Sequence, residues 1–509
     1  MKRIALLITL SICFATSQAQ DISDGLRYSS NQNLGTARYT ALSGSMGALG
    51  GDFSAISSNP ASGAVFLTST LSLSSAFNNI NNSSNYFNNE EEASKTDFSL
   101  NQLGAIFVIN NANEESSFKK FTIGLNYNQS NNFENKLFIA GTGNNTIGNF
   151  FLEQAQGMPL NLLDLRSGET ISDLYQYLGE TEGSAAQNAF LGYQGFLFDP
   201  IDPGNPLNTE YISNIAGGVF NQEYAYLSQG YNSKFTINFA TQVTNNLYFG
   251  ANINTHTIEY DQSTFLLEKN NNPGSIVRSV GFENNLSVTG SGISAQIGGI
   301  AKVANSLRLG LSFDTPTWYQ IAEETTQFLK SSRVFEGKTI NEYIDPRVIN
   351  VYEDYNLKTP AKVTASAAYI FGQSGLISFD YSYKDYSSIK FSRLNNYYDP
   401  YFDMMNNNIK NTLKAASKFN AGAEYRINQL SLRGGFHYEE TPYKNSEVMG
   451  DLTGFSLGAG YNFGRFNADI AYSRSEQERN QQLYSVGLTD TALINSVYNN
   501  FILSLSFNL

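Results

Sequence analysis

Phe419-Asn420-Ala421-Gly422-Ala423-Glu424-Tyr425-Arg426-Ile427 sets an apolar residue at each odd position and a polar or minimal one between. Successive side chains of a strand point to opposite faces, so this stretch has one greasy face and one polar face. Phe455, Leu457, Ala459, Tyr461 and Phe463 repeat the pattern, and so do Phe501, Leu503, Leu505, Phe507 and Leu509. Such alternation suits a soluble β-sandwich as well as a membrane-spanning barrel. The rest of the chain separates the two.

Residues 1–19 have the form of a signal peptide. Lys2 and Arg3 open it, Ile4 to Ala15 is mostly apolar, and Ser17-Gln18-Ala19 ends on a small residue suited to cleavage. The single cysteine, Cys13, lies inside this segment, so the mature chain has neither disulfides nor thiolate chemistry. Charged residues make up only 15%, while Tyr and Phe number 31 and 36. Low charge and many aromatics, without a long apolar run, fit a barrel whose lipid face needs only every second residue apolar. A net charge of -13 argues against a nucleic-acid partner, which requires a basic patch.

Spacing gives the topology. Short turns are expected at Thr244-Asn245-Asn246, Ala304-Asn305-Ser306, Gly372-Gln373-Ser374, Asn428-Gln429 and Gly464. Longer polar connections fall near 266–282, 321–348, 393–411, 441–451 and 476–498, and Glu90-Glu91-Glu92 falls in a first outer loop. Alternating short and long connections are what periplasmic turns and extracellular loops produce. The expected fold is all-β, a transmembrane antiparallel β-barrel. Residues 141–230 show no alternation, and their apolar clusters predict short helices in a long extracellular loop.

Ahead of the first strand, Gly44 to Gly51 carries four glycines and is followed by Asp52 and Asn59-Pro60-Ala61. Glycines permit tight turns and Asn-Pro fixes one, which serves either a linker or a compact piece within the barrel. Leu34-Gly35-Thr36-Ala37-Arg38, those glycines, Asp52 and Asn59-Pro60-Ala61 resemble the plug region of the FadL-type outer-membrane transporters. Arg308 to Pro316 and Leu432-Arg433-Gly434-Gly435-Phe436 resemble that family's strand repeats. The resemblance implies a plug at 20–63 inside a barrel at 64–509, and it guides the tally of that barrel's strands to about 14. Gly47, Gly50, Gly51, Asp52, Asn59, Pro60 and Ala61 are its plug and gating residues, with Asn59 bonded to the wall. It further implies a monomer in the cell outer membrane, surrounded by outer-membrane lipids. Long-chain fatty acids or aromatic hydrocarbons would be taken up passively, by loop capture, binding beside the plug and sideways exit through the wall.

Phe150, Phe151, Leu152, Leu160, Leu162 and Leu163 lie in an outer loop with no lipid to face. They either pack on one another or form a docking groove for a hydrophobic ligand. In strand three, Phe121, Ile123, Leu125 and Tyr127 keep outward phase, as do Phe133, Leu137 and Ile139. Between them Asn128, Gln129, Ser130, Asn131 and Asn132 put polar groups at outward positions. Either this stretch lies at the membrane interface, or the strand kinks inward there and opens a lateral gate, as the FadL-type resemblance implies. The two histidines, His256 and His437, fall on the lumen-facing phase. No catalytic grouping, metal spacing or phosphate loop is recognisable, so no enzyme, cofactor or metal site is expected. The alternative to transport is a non-transporting barrel component of a surface or secretion assembly.

Overall fold

The structure, a computed structural model, describes residues 21–113, 115–395 and 397–509. The expected signal peptide at 1–19 lies outside them. Fourteen antiparallel strands close into a barrel. They are β1 (Thr70–Tyr86), β2 (Asn89–Asn110), β3 (Lys120–Asn132, continuing as Asn135–Gly143) and β4 (Phe220–Gln242). Next come β5 (Leu247–Lys269), β6 (Val277–Lys302), β7 (Leu307–Asp314 and Trp318–Phe335) and β8, which ends in Lys362–Ile370. The circuit finishes with β9 (Gly375–Asp385 and Lys390–Arg393), β10 (Ala415–Ile427), β11 (Leu430–Glu439), β12 (Leu452–Asn462), β13 (Phe466–Gln482) and β14 (Thr491–Asn508). Closure is the pairing of β1 with β14, from Thr70 opposite Asn508 to Asn85 opposite Leu493. No sheet edge is left along the circuit where these two meet.

Burial is inverted relative to a soluble protein. Leu71, Leu73 and Phe77 are 41%, 47% and 56% exposed, whereas Ser72, Ser74 and Asn78, each next to one of them in the chain, are buried. The same holds around the wall: Phe235, Ile253, Ile297, Leu311, Phe379, Leu457 and Leu503 face out. Thr236, Asn252, Gln296, Ser312, Ser378, Ser456 and Ser504 face in and are buried. An apolar outside and a polar inside are what lipid and an occupied lumen demand. No described helix is long and apolar enough to cross a membrane.

Several expected loops are strand instead. The connection near 266–282 shrinks to 270–276, and 321–348 is largely the upper half of β7 with a further strand, Lys338–Ile344, folded back on it. Glu90, Glu91 and Glu92 belong to β2, paired with β1 across a tight turn at Phe87-Asn88. At about 3.3 Å per residue, the 22 residues of β2 reach roughly 70 Å, more than twice the ~30 Å hydrocarbon core. The outer ends of the strands therefore stand in water, where no lipid enforces alternation. The long connection shortens likewise, from 141–230 to 144–219.

Inside the lumen run α1 (Ile22–Ser29), α2 (Ala37–Ala41), α3 (Phe53–Ser58) and a 3-10 turn, Pro60–Val65. The first strand begins at Thr70, six residues beyond the expected 64. Outside, α4 (Ile147–Ala155), α5 (Ile171–Thr181) and α6 (Ser184–Gln194) build a lobe over the mouth. A further helix, α7 (Pro400–Thr412), packs Phe402, Met405 and Ile409 against Leu26 and Tyr28 of α1 and the upper wall.

Candidate functional site: plug, chamber and interrupted wall

The N-terminal segment touches the wall on every side, which only the interior of a closed barrel allows. Its free carbonyls are met by wall side chains. Asn252 donates to Ile56 O at 2.9 Å, Gln296 to Ser57 O at 2.9 Å, Ser312 to Ser58 O at 2.8 Å and Arg308 to Leu49 O at 2.9 Å. Across the lumen, Ser378 donates to Ser45 O at 2.7 Å and Ser456 to Ala41 O at 2.9 Å. Buried backbone groups without ladder partners need such donors, and that explains why the inner wall is rich in Ser, Asn and Gln.

Asn59 is the junction. Its Nδ2 donates to Gly47 O at 2.8 Å and to Gly299 O of β6 at 3.0 Å, while its Oδ1 accepts from Ala61 N at 3.1 Å. Pro60 opens the 3-10 turn, where its fixed φ costs nothing, and Ala61 is buried against Ala240, Tyr248 and Ile300. Gly47 donates its N–H to Asp380 Oδ2 at 2.9 Å, and a Cβ there would lie 2.1 Å from Ser366 Oγ. Gly50 and Gly51 take φ of +66° and +68°, the left-handed region that side chains disfavour. Asp52 caps α3, accepting from Ser54 N at 2.8 Å and Thr36 Oγ1 at 2.8 Å. Burial pushes the Asp52 carboxyl above its usual range, opposed by Arg38 and those hydrogen bonds.

Arg38 extends from α2 to Glu424 of β10 at 2.9 Å, and Glu424 also meets Arg433 at 2.7 Å and Arg426 at 2.6 Å. Sequence reasoning missed this cluster. Its signal was charge on the inward phase, where Glu424, Arg426 and Arg433 all fall. His256 and His437 are buried and engage serines, Ser294 at 2.9 Å and Ser475 at 3.0 Å. Among the described residues no group of three or more His, Cys, Asp or Glu side chains is placed to hold a metal.

The third strand is interrupted on one side only. Its ladder with β4 runs through Asn132 opposite Tyr231, with a bulge between Gln129 and Asn131. Its ladder with β2 stops at Asn128 opposite Gln102, and the Asn135–Gly143 part pairs with β4 alone. Side chains bridge the gap instead: Asn132 Nδ2 to Asp97 Oδ2 at 3.0 Å, Lys95 to Glu134 at 3.3 Å, and Asn82 Nδ2 to Lys136 O at 2.7 Å. The plug takes the freed backbone. Gln32 N donates to Ser130 O at 3.0 Å and to Asn131 Oδ1 at 2.9 Å, and Asn131 Nδ2 donates to Ser30 O at 2.7 Å. Asn128 Nδ2 reaches Ser57 Oγ at 3.2 Å.

The outward phase expected for Gln129, Asn131, Phe133, Leu137 and Ile139 is corrected here. One extra residue at the bulge flips the parity, as a bulge must. Gln129 and Asn131 are buried, Phe133 sits edge-on to Tyr28 and Tyr260, and Leu137 and Ile139 join the core of the outer lobe. The candidate groove residues lie in that same core. Phe150, Phe151, Leu160 and Leu163 are buried, with Leu152 and Leu162 packed partly buried against them.

A cavity of about 170 Å³ lies between plug and wall, bordered by Asn128, Gln129 and Ser130 of the kink. Its remaining lining is mostly polar and includes Lys234, Lys362, Lys384 and Lys418. These lysines also went unread in the sequence, although each occupies an inward position.

No family model matches the chain, and no curated protein matches it. Among solved structures, a Pseudomonas aeruginosa FadL homologue aligns over 94% of this chain and 100% of its own, at 14% identity and a TM-score of 0.53. The Pseudomonas putida toluene transporter TodX aligns over 94% and 100%, at 12% identity and a TM-score of 0.50. At such identities the likeness is one of architecture. Fourteen strands, a plug bonded to their inner faces and a third strand interrupted beside it give this chain the FadL-type barrel fold.

Proposed function

We propose that the protein is a passive outer-membrane transporter that admits small hydrophobic molecules and releases them sideways through the gap between β2 and β3. The observation that carries this reading is the one-sided ladder of β3, whose freed groups are held by the plug and by side chains of β1 and β2 instead of a backbone ladder. A gap held by side chains opens at lower cost than a ladder, because no run of backbone pairs has to break together. An apolar molecule leaving there enters lipid and avoids the polar lumen, gaining about 0.8 kcal/mol per buried CH₂. The fold likeness to a toluene transporter supports the ligand class. Capture is assigned to the outer lobe at Phe150, Phe151, Leu152, Leu160, Leu162 and Leu163, which are packed together and must part to admit a guest. Gly47, Gly50, Gly51, Asp52, Asn59, Pro60 and Ala61 hold the plug, and Asn128 to Asn132 form the gate.

The test is a reversible lock. Asp97→Cys with Asn132→Cys places two thiols across the gap, in a mature chain with no other cysteine if residues 1–19 are removed. Uptake of labelled toluene or oleate by cells lacking their own such channel is expected to fall on oxidation and return with reductant. Uptake unchanged in the oxidised, cross-linked protein would refute lateral exit.

A further inference from the structure

The wall closes where β1 meets β14, but one strand edge reopens above the lipid. In its lower half β2 pairs with β1 on one side and with β3 on the other, as far as Gln102 opposite Asn128. A bulge at Asn101 follows, since Ser74 faces Gln102 and Ser75 already faces Leu100. From Leu100 up to Asn89 the ladder with β1 continues unbroken, while the other edge of β2 has no strand partner. Among the described residues, no backbone group of 90–100 bonds to a backbone partner outside β1.

The upper part of β3 does not cover that edge. Buried side chains of β1, the far member of the pair, reach it: Asn82 Nδ2 donates to Lys136 O at 2.7 Å and Ser84 Oγ to Phe138 O at 2.7 Å. A strand lying beside β2 would be out of their reach, two spacings of about 4.8 Å from β1. Residues 135–143 therefore run beneath the β1–β2 pair. Next to them β4 presents Ala225 and Leu227, opposite Phe138 and Lys136, and both are exposed.

Every second residue of an edge strand points its N–H and C=O away from its neighbour, and an extended chain offers partners at the same spacing. This edge carries Glu90, Glu91, Glu92 and Asp97 against Lys95, which is already paired with Glu134 at 3.3 Å. Two copies set edge to edge would bring acid against acid, which disfavours self-pairing. The same charges favour a strand that carries lysine or arginine. Phe98 and Leu100 are exposed and apolar and mark the lipid level, so Glu90 to Thr96 stands in water over roughly 23 Å.

We propose that the upper edge of β2, Glu90 to Thr96, is a docking site for an extended basic segment of another protein, which adds to the wall as a further strand. Main-chain hydrogen bonds hold the segment, its basic side chains meet Glu90 to Glu92, and Ala225 and Leu227 give it an apolar floor. This surface does not depend on what the lumen carries.

A dye-labelled peptide of threonine alternating with lysine and valine, followed by fluorescence anisotropy against the full chain in detergent, tests the edge. Saturable binding is expected, with slowed hydrogen exchange of amides within 90–96. The same peptide with its backbone nitrogens methylated keeps its charge but donates no main-chain hydrogen bond, and binding roughly tenfold weaker or more is expected. Glu90→Gln, Glu91→Gln and Glu92→Gln combined is expected to weaken the parent peptide by a similar factor at low salt, with the melting temperature unchanged. Absence of saturable binding, or equal binding of the methylated peptide, would overturn strand addition. Equal binding by the glutamine variant would overturn the basic partner. Self-association through 90–96 that excludes the peptide would give the edge to a second copy and overturn the proposal.

Discussion

The outer lobe and the lumen are both enclosed, yet they are closed by opposite chemistry. The lobe is a dry core: Phe151 lies 4.9 Å from Phe282, Phe150 lies 4.8 Å from Tyr484, and Tyr175, Leu178 and Phe190 are fully buried beside them. The lumen is filled by a plug whose carbonyls are met one by one by Ser, Asn, Gln and Arg of the wall. Apolar packing is non-directional and tolerates rearrangement. A plug held by placed donors has one seating, because a shift of an ångström breaks many bonds at once. On the transport reading proposed above, the lobe is the part that gives way for a guest and the lumen the part that stays in place.

The largest expected effect tests the lobe. Phe151→Ala removes a fully buried ring at the crossing of α4 and α6, and a loss of about 3–5 kcal/mol of local stability is expected. Protease sensitivity confined to 144–219, with the barrel still heat-resistant on gels, would check it. Cleavage spread evenly over the chain would show that lobe and barrel are one cooperative unit.

Next is the plug. Asn59→Leu removes the bonds to Gly47 O and Gly299 O and from Ala61 N, an expected cost of roughly 1–3 kcal/mol in all, since Gly299 lies in a strand paired on both sides. The barrel is expected to assemble, and single-channel recordings to show ion leakage through the loosened plug. Conductance equal to the parent would mean that the remaining wall contacts hold the plug without Asn59.

A smaller effect is expected at the kink. Asn131→Ala removes the bonds to Ser30 O and from Gln32 N, worth about 1–2 kcal/mol together, and changes apolar uptake while assembly stays normal. Hydrogen exchange at Ser30 to Gln32 is the direct measure, and unaltered protection there would detach the plug from the gate. The smallest is Lys234→Gln, expected within about 0.5 kcal/mol of the parent in stability because its ammonium has no hydrogen bond or ion pair among the described residues. A clear loss of stability in chemical denaturation would mean that Lys234 supports the fold itself.

How much could be read beforehand follows from the range of each force. Phe419 to Ile427 announces its own strand because alternation is written in neighbouring residues, and lipid enforces it at each outward position. The same rule located Thr244-Asn245-Asn246 and Asn428-Gln429 as turns. Where strands rise above the membrane the rule lapses, so 266–282 and 321–348 resembled loops although much of each is paired sheet. Gln129 and Asn131 were legible as an anomaly of phase, but not as a bulge, because a bulge is a relation between two strands.

By itself, then, the sequence determined the alternating barrel wall and the presence of a distinct Gly-rich segment before it, both properties of local pattern, while the strand number was counted with the family resemblance as guide. The tertiary structure alone decided that Asn59 meets Gly299, that Glu424 gathers Arg38, Arg426 and Arg433, and that Lys234 lines a chamber with no ion pair among the described residues. Those are contacts between residues up to 386 positions apart along the chain. Closure of the barrel, and no local preference, brings such residues within hydrogen-bonding distance.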